Sequence, residues 1–251
     1  MLQVQNLSVT RGKPILKEVS FDVGKGEMLV VLGPSGSGKS TLLRCLNRLD
    51  PFDGGVVRLH NEDVSNSSVL ALRQRVGMVF QTPALMPFRV CDNIALGPSL
   101  RREVLDDARC ESLLHQVGLS KAYRTRQAET LSVGEQQRVA LAQVLANTPE
   151  VMLMDEPTSA LDPTAALTIE NLIKRINRDL GIATVWVTHD VPQAMRFDAP
   201  TMVLIDGRII AHGNIQDLMR DRQDERLQRF FEGRLQPGVD ADLQGEHPDA
   251  R

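Results

Sequence analysis

The sequence predicts an α/β fold built on a buried parallel sheet, and three observations carry that prediction. Short apolar runs of strand length recur at Glu27–Leu32, Val76–Phe80, Val151–Met154, Ala183–Thr188 and Met202–Ile205. Continuous runs of this kind suit parallel strands covered on both faces. The first run is followed at once by a Gly/Ser-rich loop and then by helix spacing from Ser40 to Leu49; strand, glycine loop, helix is the opening of a nucleotide-binding α/β domain. Between Pro87 and Ala146 the strand signal disappears, so residues 85–147 or so read as a helical subdomain inserted into the α/β core.

Ahead of the core, Leu2–Val9 reads as a strand, Arg11-Gly12-Lys13-Pro14 as turn chemistry and Ile15–Val23 as a second strand. In the insertion, Asp92–Leu96, Glu103–Val117 and Val133–Ala146 carry helix spacing, with Val139, Leu141, Val144 and Leu145 on one side. After Leu235, Gln236-Pro237-Gly238 and a polar end predict a disordered tail over 236–251. The globular domain is therefore expected over residues 1–235, without internal repeats.

A chain of 251 residues accommodates one large domain or a domain with an inserted subdomain. Its composition is that of an ordinary globular protein, which excludes collagen-like, low-complexity and coiled-coil classes. Lys+Arg of 29 against Asp+Glu of 32 leaves a net charge of −3, so no overall basic field argues for nucleic acid, and no nucleic-acid partner is expected. Cys45, Cys91 and Cys110 are odd in number and widely spaced. That rules out a disulfide framework and predicts reduced thiols packed as small hydrophobes in a cytosolic protein. The start, Met1-Leu2-Gln3-Val4-Gln5-Asn6, lacks the basic and apolar stretches of a signal peptide. Apolar runs such as Met28–Leu32 fall far short of the ~20 residues that span a bilayer, so the chain is not expected to cross a membrane by itself.

The strongest motif is Gly33-Pro34-Ser35-Gly36-Ser37-Gly38-Lys39-Ser40-Thr41, which satisfies the phosphate-loop pattern of Gly, four residues, Gly-Lys-Ser/Thr. Its glycines let successive N–H groups converge on one point, and the following helix adds its positive end. Lys39 would reach the β- and γ-phosphates, and the Ser40 hydroxyl would ligate Mg²⁺. Val151-Met152-Leu153-Met154-Asp155-Glu156 is an apolar strand ending in two carboxylates. Placed beside the phosphate loop, it would bring Asp155 to the magnesium and Glu156 near the γ-phosphate, where a base orients or deprotonates the attacking water.

Leu131-Ser132-Val133-Gly134-Glu135-Gln136-Gln137 opens the helix that runs to Ala146. Ser132 and Glu135 form a capping-box pattern, and a capped helix start with a serine hydroxyl and a neighbouring glycine is also a second phosphate site. One ATP is not served by two such helix ends in a single chain; the economical solution is a dimer in which this helix addresses the partner's ATP.

Together with Ser159-Ala160-Leu161-Asp162, Thr188-His189-Asp190 and Gln81 after its strand, these motifs stand in the order and spacing of ATP-binding cassette (ABC) ATPases, which the chain resembles over about residues 1–235. The resemblance implies a P-loop NTPase (RecA-like) core with an N-terminal antiparallel β-subdomain and an inserted α-helical subdomain. It also implies a head-to-tail homodimer that sandwiches two ATP molecules. On matching positions it implies Mg²⁺ and water contacts for Gln81, a γ-phosphate contact for His189, cross-dimer contacts for Ser132 and Gly134, and Asp162 at the dimer seam. Lys39, Gln81, Glu156 and His189 are then the expected catalytic groups, and Ser40, Gln81 and Asp155 the expected metal contacts. ATP and Mg²⁺ are the expected cofactors.

Three departures accompany the resemblance. Val133 and Glu135 stand where Gly and Gln are common, which leaves the helix cap intact. Arg11 stands where the family often stacks an aromatic ring on adenine; a guanidinium also stacks, with a weaker base contact. Residues 236–251 do not resemble the large regulatory C-terminal domain of some importer ATPases.

The stretch Gln81-Thr82-Pro83-Ala84-Leu85-Met86-Pro87-Phe88 is apolar and stiffened by proline, suited to receive a short helix of another protein. In transporter ATPases the corresponding region meets an integral-membrane permease, which would hold this chain at the cytoplasmic face of the cell membrane. Phe80–Leu100 is similar to phosphate-import ATPases and to a group linked to iron or metal export. The alternative class is a soluble ABC ATPase acting in DNA or ribosome transactions; its usual coiled-coil insertions, zinc modules or tandem cassettes are not visible here.

Overall fold

The computed structural model describes residues 1–221 and 224–234, so the tail expected over 236–251 lies outside the described residues. Strands β1 (Leu2–Arg11) and β2 (Lys13–Val23) form a hairpin. Its turn is tighter than the four residues expected, because Gly12 alone, at φ 72°, separates the strands. Leu2, Val4, Leu7 and Val9 of β1 and Leu16, Val19, Phe21 and Val23 of β2 point into one core. After β3 (Met28–Leu32) and α1 (Lys39–Leu46), the chain returns as β4 (Gly54–Leu59) and the short β5 (Glu62–Asp63). These complete an antiparallel sheet ordered β2-β1-β4-β5. Neither β4 nor β5 has a strand signal in the sequence: β4 opens on two glycines, and Gly55 at φ 87° lies so close to the chain at Gln5–Asn6 that only glycine fits.

Next come α2 (Val69–Arg75) and β6 (Val76–Val79), then α3 (Val90–Leu100), α4 (Asp107–Gln116) and α5 (Val133–Leu145). Helix α3 extends well past the expected Leu96, through Gly97 and a buried Pro98. Helix α4 starts later than expected, where Asp106 accepts a hydrogen bond from the Arg109 amide at 2.7 Å. The rest is β7 (Val151–Asp155), α6 (Pro163–Leu180), β8 (Ala183–Thr188), α7 (Val191–Phe197), β9 (Thr201–Ile205), β10 (Arg208–Gly213), α8 (Ile215–Arg220) and α9 (Glu225–Phe231). Helix α6 carries full start and stop signals: Asp162 caps it, Pro163 opens it, and Gly181 at φ 62° ends it.

Six strands form the central sheet in the order β10-β9-β3-β8-β7-β6, parallel except for the β9–β10 edge. Alternate residues of each strand supply two separate cores. Val30, Leu32, Met152, Met154 and Trp186 face the α5–α6–α7 side. Leu29, Val31, Leu153, Val185 and Val187 face α1 and the antiparallel sheet. Burial on both faces is why these strands read as unbroken apolar runs rather than as alternating ones. The strand carrying Asp155 is separated from β3 by β8, since strand order is set by crossovers that local runs do not encode.

Candidate active site

The phosphate loop, Asp155, Glu156 and His189 sit where parallel strands β3, β7 and β8 end. Beyond β3 the phosphate loop folds back against β9 so closely that a Cβ on Gly33 would lie 2.1 Å from the Leu204 carbonyl oxygen. Gly36 and Gly38 have φ of 80° and 105°, left-handed conformations that glycine adopts without penalty, and they turn the chain into α1. Lys39, the first residue of α1, is 5% exposed. Its ammonium donates to the carbonyls of Gly33 at 2.8 Å and Pro34 at 2.9 Å and stands 3.7 Å from Glu156 Oε1. Burial draws its pKa below the ordinary lysine value against the opposing pull of Glu156 and Asp155.

Ser40 donates its hydroxyl to Asp155 Oδ1 at 2.8 Å, across 115 residues of sequence. Thus Asp155 reaches α1 even though β8 separates its strand from β3. Burial raises the Asp155 pKa; the Ser40 hydrogen bond opposes that shift and the Glu156 charge adds to it. A hydroxyl and a carboxylate held together at the phosphate loop are oxygen donors suited to a hard divalent cation, so these residues fit Mg²⁺.

The next residue, Glu156, takes φ of 45°, an uncommon conformation for a residue with a side chain. Its amide donates to the Val187 carbonyl at 3.2 Å, and its Oε2 is hydrogen-bonded to His189 Nδ1 at 2.9 Å. Gln81 is exposed two residues beyond β6. The β6–β7 register pairs Val79, two residues before Gln81, with Met154, two residues before Glu156. The segment's root is anchored by Gln137, whose amide donates to the Phe80 carbonyl at 3.0 Å.

The start of α5 is the capping box expected from sequence: Ser132 Oγ accepts from the Glu135 amide, and Glu135 Oε2 accepts from the Ser132 amide at 2.8 Å. Ser132 also donates its hydroxyl to that oxygen at 3.0 Å, and Tyr123 donates to the other carboxylate oxygen. The Tyr123 bond, followed by the Ser132 bonds, holds the Glu135 carboxyl below its ordinary pKa. Gly134 lies against Leu161 and Ala165 of the same chain, next to the Asp162 loop. Asp162 uses Oδ1 to accept from the amides of Thr164 at 2.9 Å and Ala165 at 3.0 Å.

Arg11 forms an ion pair with Asp50 at 2.9 Å, just past α1. Pro34 and Ser35 of the phosphate loop, with Glu156, Ser159, Leu161 and His189, line a cavity of about 860 Å³ that continues toward α7 and α9. A second groove of about 440 Å³ opens beside Phe80, between the core and the helical segment; Leu49, Met78, Leu96, Leu100 and Val144 line it. Met86 and Phe88 are exposed on a turn that the Asn93 side chain holds through the backbone N–H and C=O of Met86. Tyr123, Thr158, Glu170, Gln193 and Arg196 are polar partners that the sequence did not single out. Each depends on a contact with a residue distant in the chain.

The family profile described as "ABC transporter" matches residues 16–159. "Protein STAR1" of rice (Oryza sativa subsp. japonica) is 48% identical over 203 residues, covering 81% of this chain. The chain spans only 59% of that relative's length. "Phosphate import ATP-binding protein PstB 1" of Yersinia pestis is 39% identical over 93% of this chain and 91% of its own. Among solved structures, the ATP-binding cassette MJ0796, a dimer in a post-hydrolysis state bound to ADP and Pi, superimposes with a TM-score of 0.76. It is 31% identical, over 86% of this chain and 99% of that one.

Proposed function

The chain belongs to the ABC transporter family, and on that premise we propose that it is the ATP-binding, ATP-hydrolysing subunit of a transporter whose permease is a separate membrane protein. The observation that carries this reading is the convergence of Lys39, Ser40, Asp155, Glu156 and His189 at the phosphate loop. No helix among the described residues is long and apolar enough to cross a membrane, so the path for a cargo belongs to a partner.

On this reading the Gly33–Thr41 loop holds the ATP phosphates through its amides. The Lys39 ammonium, now on the Gly33 and Pro34 carbonyls, turns to the β- and γ-phosphates. Ser40 and Asp155, with Gln81, would hold Mg²⁺, which neutralises charge on the phosphate oxygens when bound. Glu156 orients and deprotonates the water that attacks the γ-phosphate in line, while His189 positions Glu156 and contacts the γ-phosphate. Ser132 and Gly134 of one protomer complete the site of the other in an ATP-bound homodimer, with Asp162 at the seam. A dimeric relative bound to ADP and Pi supports that arrangement.

The groove beside Phe80 and the exposed Met86 and Phe88 receive a short helix of the permease, which holds the chain at the cytoplasmic face of the membrane. The cargo is a small solute or ion, a phosphate-like anion or a metal ion such as iron, in keeping with relatives that include a phosphate-import subunit. A role in DNA or ribosome transactions is not favoured by those relatives.

The test is a pull-down of tagged Glu156→Gln protein from detergent-solubilised native membranes with Mg-ATP, read by mass spectrometry. A stoichiometric multi-span protein is expected. It should be lost when Leu100→Glu is added in the groove, with ATP binding retained. Recovery of soluble or nucleic-acid-associated partners only would overturn the transporter reading.

A further inference from the structure

On the wall of the cavity stands a polar cluster, including Thr158, Gln193 and Arg196, that the proposed chemistry does not use. Gln193, on the first turn of α7 and four residues after His189, is 5% exposed and has every side-chain group engaged in a specific direction. Its Nε2 donates to Thr158 Oγ1 at 2.8 Å and to Glu170 Oε1 at 2.8 Å, and its Oε1 accepts from Trp186 Nε1 at 3.2 Å. Arg196, one turn further along α7, donates through Nε to Glu170 Oε2 at 2.8 Å and through Nη2 to Oε1 at 2.7 Å. Glu170 itself is 1% exposed. Thr158 lies two residues past Glu156, and Glu170 sits on the helix that Asp162 caps. Trp186 lies on the strand that leads into His189, with its ring 4.5 Å from that of Phe197.

One amide therefore ties together the three segments that carry Glu156, Asp162 and His189. A network of this kind is costly to half-satisfy and rigid when fully satisfied. We propose that Gln193 is a positioning residue which makes these segments move as one body, so that a displacement of His189 on nucleotide binding reaches the Asp162 loop and Trp186 together. The inference rests on the ATPase reading above. Trp186 is the chain's single tryptophan, so its emission reports the Gln193 contact directly.

The experiment compares full-length wild type, Gln193→Leu and Thr158→Val in steady-state Mg-ATP turnover, calorimetric Mg-AMPPNP binding, thermal unfolding and tryptophan fluorescence. Wild-type emission is expected to change on Mg-AMPPNP binding. In Gln193→Leu that change is lost and kcat falls at least about tenfold, while KM and nucleotide affinity stay within about twofold. Thr158→Val, which removes a single acceptor, lowers kcat about threefold, and the double variant is no worse than Gln193→Leu alone, as expected for one shared unit. Gln193→Leu with wild-type kcat and emission response would overturn the inference. So would losses of kcat, affinity and melting temperature in parallel, which indicate a merely structural role. If Gln193→Leu does not fold, Thr158→Val decides in the same way: wild-type turnover overturns the inference. Wild type without turnover sensitive to Glu156→Gln defeats the ATPase reading and this inference with it, whereas wild-type turnover with an unaffected Gln193→Leu defeats the inference alone.

Discussion

Glu156 Oε2 and His189 Nδ1 are hydrogen-bonded at 2.9 Å across 33 residues, while the other oxygen of the same carboxylate faces the Lys39 ammonium at 3.7 Å. The carboxylate is thus held between a ring and a cation, in a backbone conformation of φ 45° that a side chain tolerates only under constraint from its surroundings. Glu156→Gln keeps the shape and removes the basic oxygen. Mg-ATP binding is expected to persist and turnover to fall by two or more orders of magnitude, about the contribution of a positioned base, with a closed dimer accumulating. Phosphate release at the wild-type rate would remove Glu156 from the base role.

The Lys39 ammonium is buried against the phosphate-loop carbonyls of Gly33 and Pro34. Lys39→Ala is expected to abolish productive Mg-ATP binding, read by calorimetry. An unchanged affinity would contradict the phosphate-loop assignment.

Arg11 is held by Asp50 rather than being free to stack. The pair is partly exposed and contributes little to stability, about 0–1 kcal/mol, so Arg11→Tyr is expected to fold normally. If an aromatic stack on adenine is missing, restoring one worth about 1 kcal/mol tightens the ATP Kd about fivefold. An unchanged Kd would place the base elsewhere.

At Gly33 the obstacle to substitution is steric, since an added Cβ would meet the Leu204 carbonyl oxygen at 2.1 Å. A backbone atom cannot rotate away, so Gly33→Ala is expected to destabilise by about 1–3 kcal/mol or more. At Gly36 an added Cβ meets open space, leaving only the left-handed φ of 80° to penalise it, at about 1–2 kcal/mol. Thermal unfolding of the two variants checks the order.

Glu170 gives a pH dependence with a definite sign. Burial works to raise its pKa, but the hydrogen bonds from Arg196 and Gln193 outweigh it and leave the carboxyl below its ordinary value. The folded protein therefore releases this proton more readily than the unfolded chain. The resulting stability is complete above the unfolded value of about 4.3 and is lost as pH falls through the folded one. Glu170→Gln is expected to be less stable at pH 7 and to show a shallower loss of stability below about pH 4.5. Parallel acid-unfolding curves for wild type and variant would count against it.

How much of this was legible in advance depends on the distance over which each feature is determined. The phosphate loop is local: three glycines and a lysine within seven residues impose their own backbone path, and Gly33, Gly38 and Lys39 lie where the motif requires. The capping box of Ser132 and Glu135 is local in the same sense, as are the apolar runs of the parallel sheet. Other signals were equally local but weaker. The cap and stop of α6 stand in the sequence, whereas β4 is concealed by its glycines and β10 by half-exposed residues on a sheet edge.

Tertiary structure alone decided what joins residues far apart. It placed β8 between β3 and the Asp155 strand, drew Arg11 to Asp50, and brought Glu170, Gln193 and Arg196 into one buried cluster. A glutamine or glutamate in a helix has the same local pattern whether it faces water or a partner. Its role is set by the burial that desolvates it and the hydrogen bonds that must then be made, and both exist only once the sheet and helices have packed.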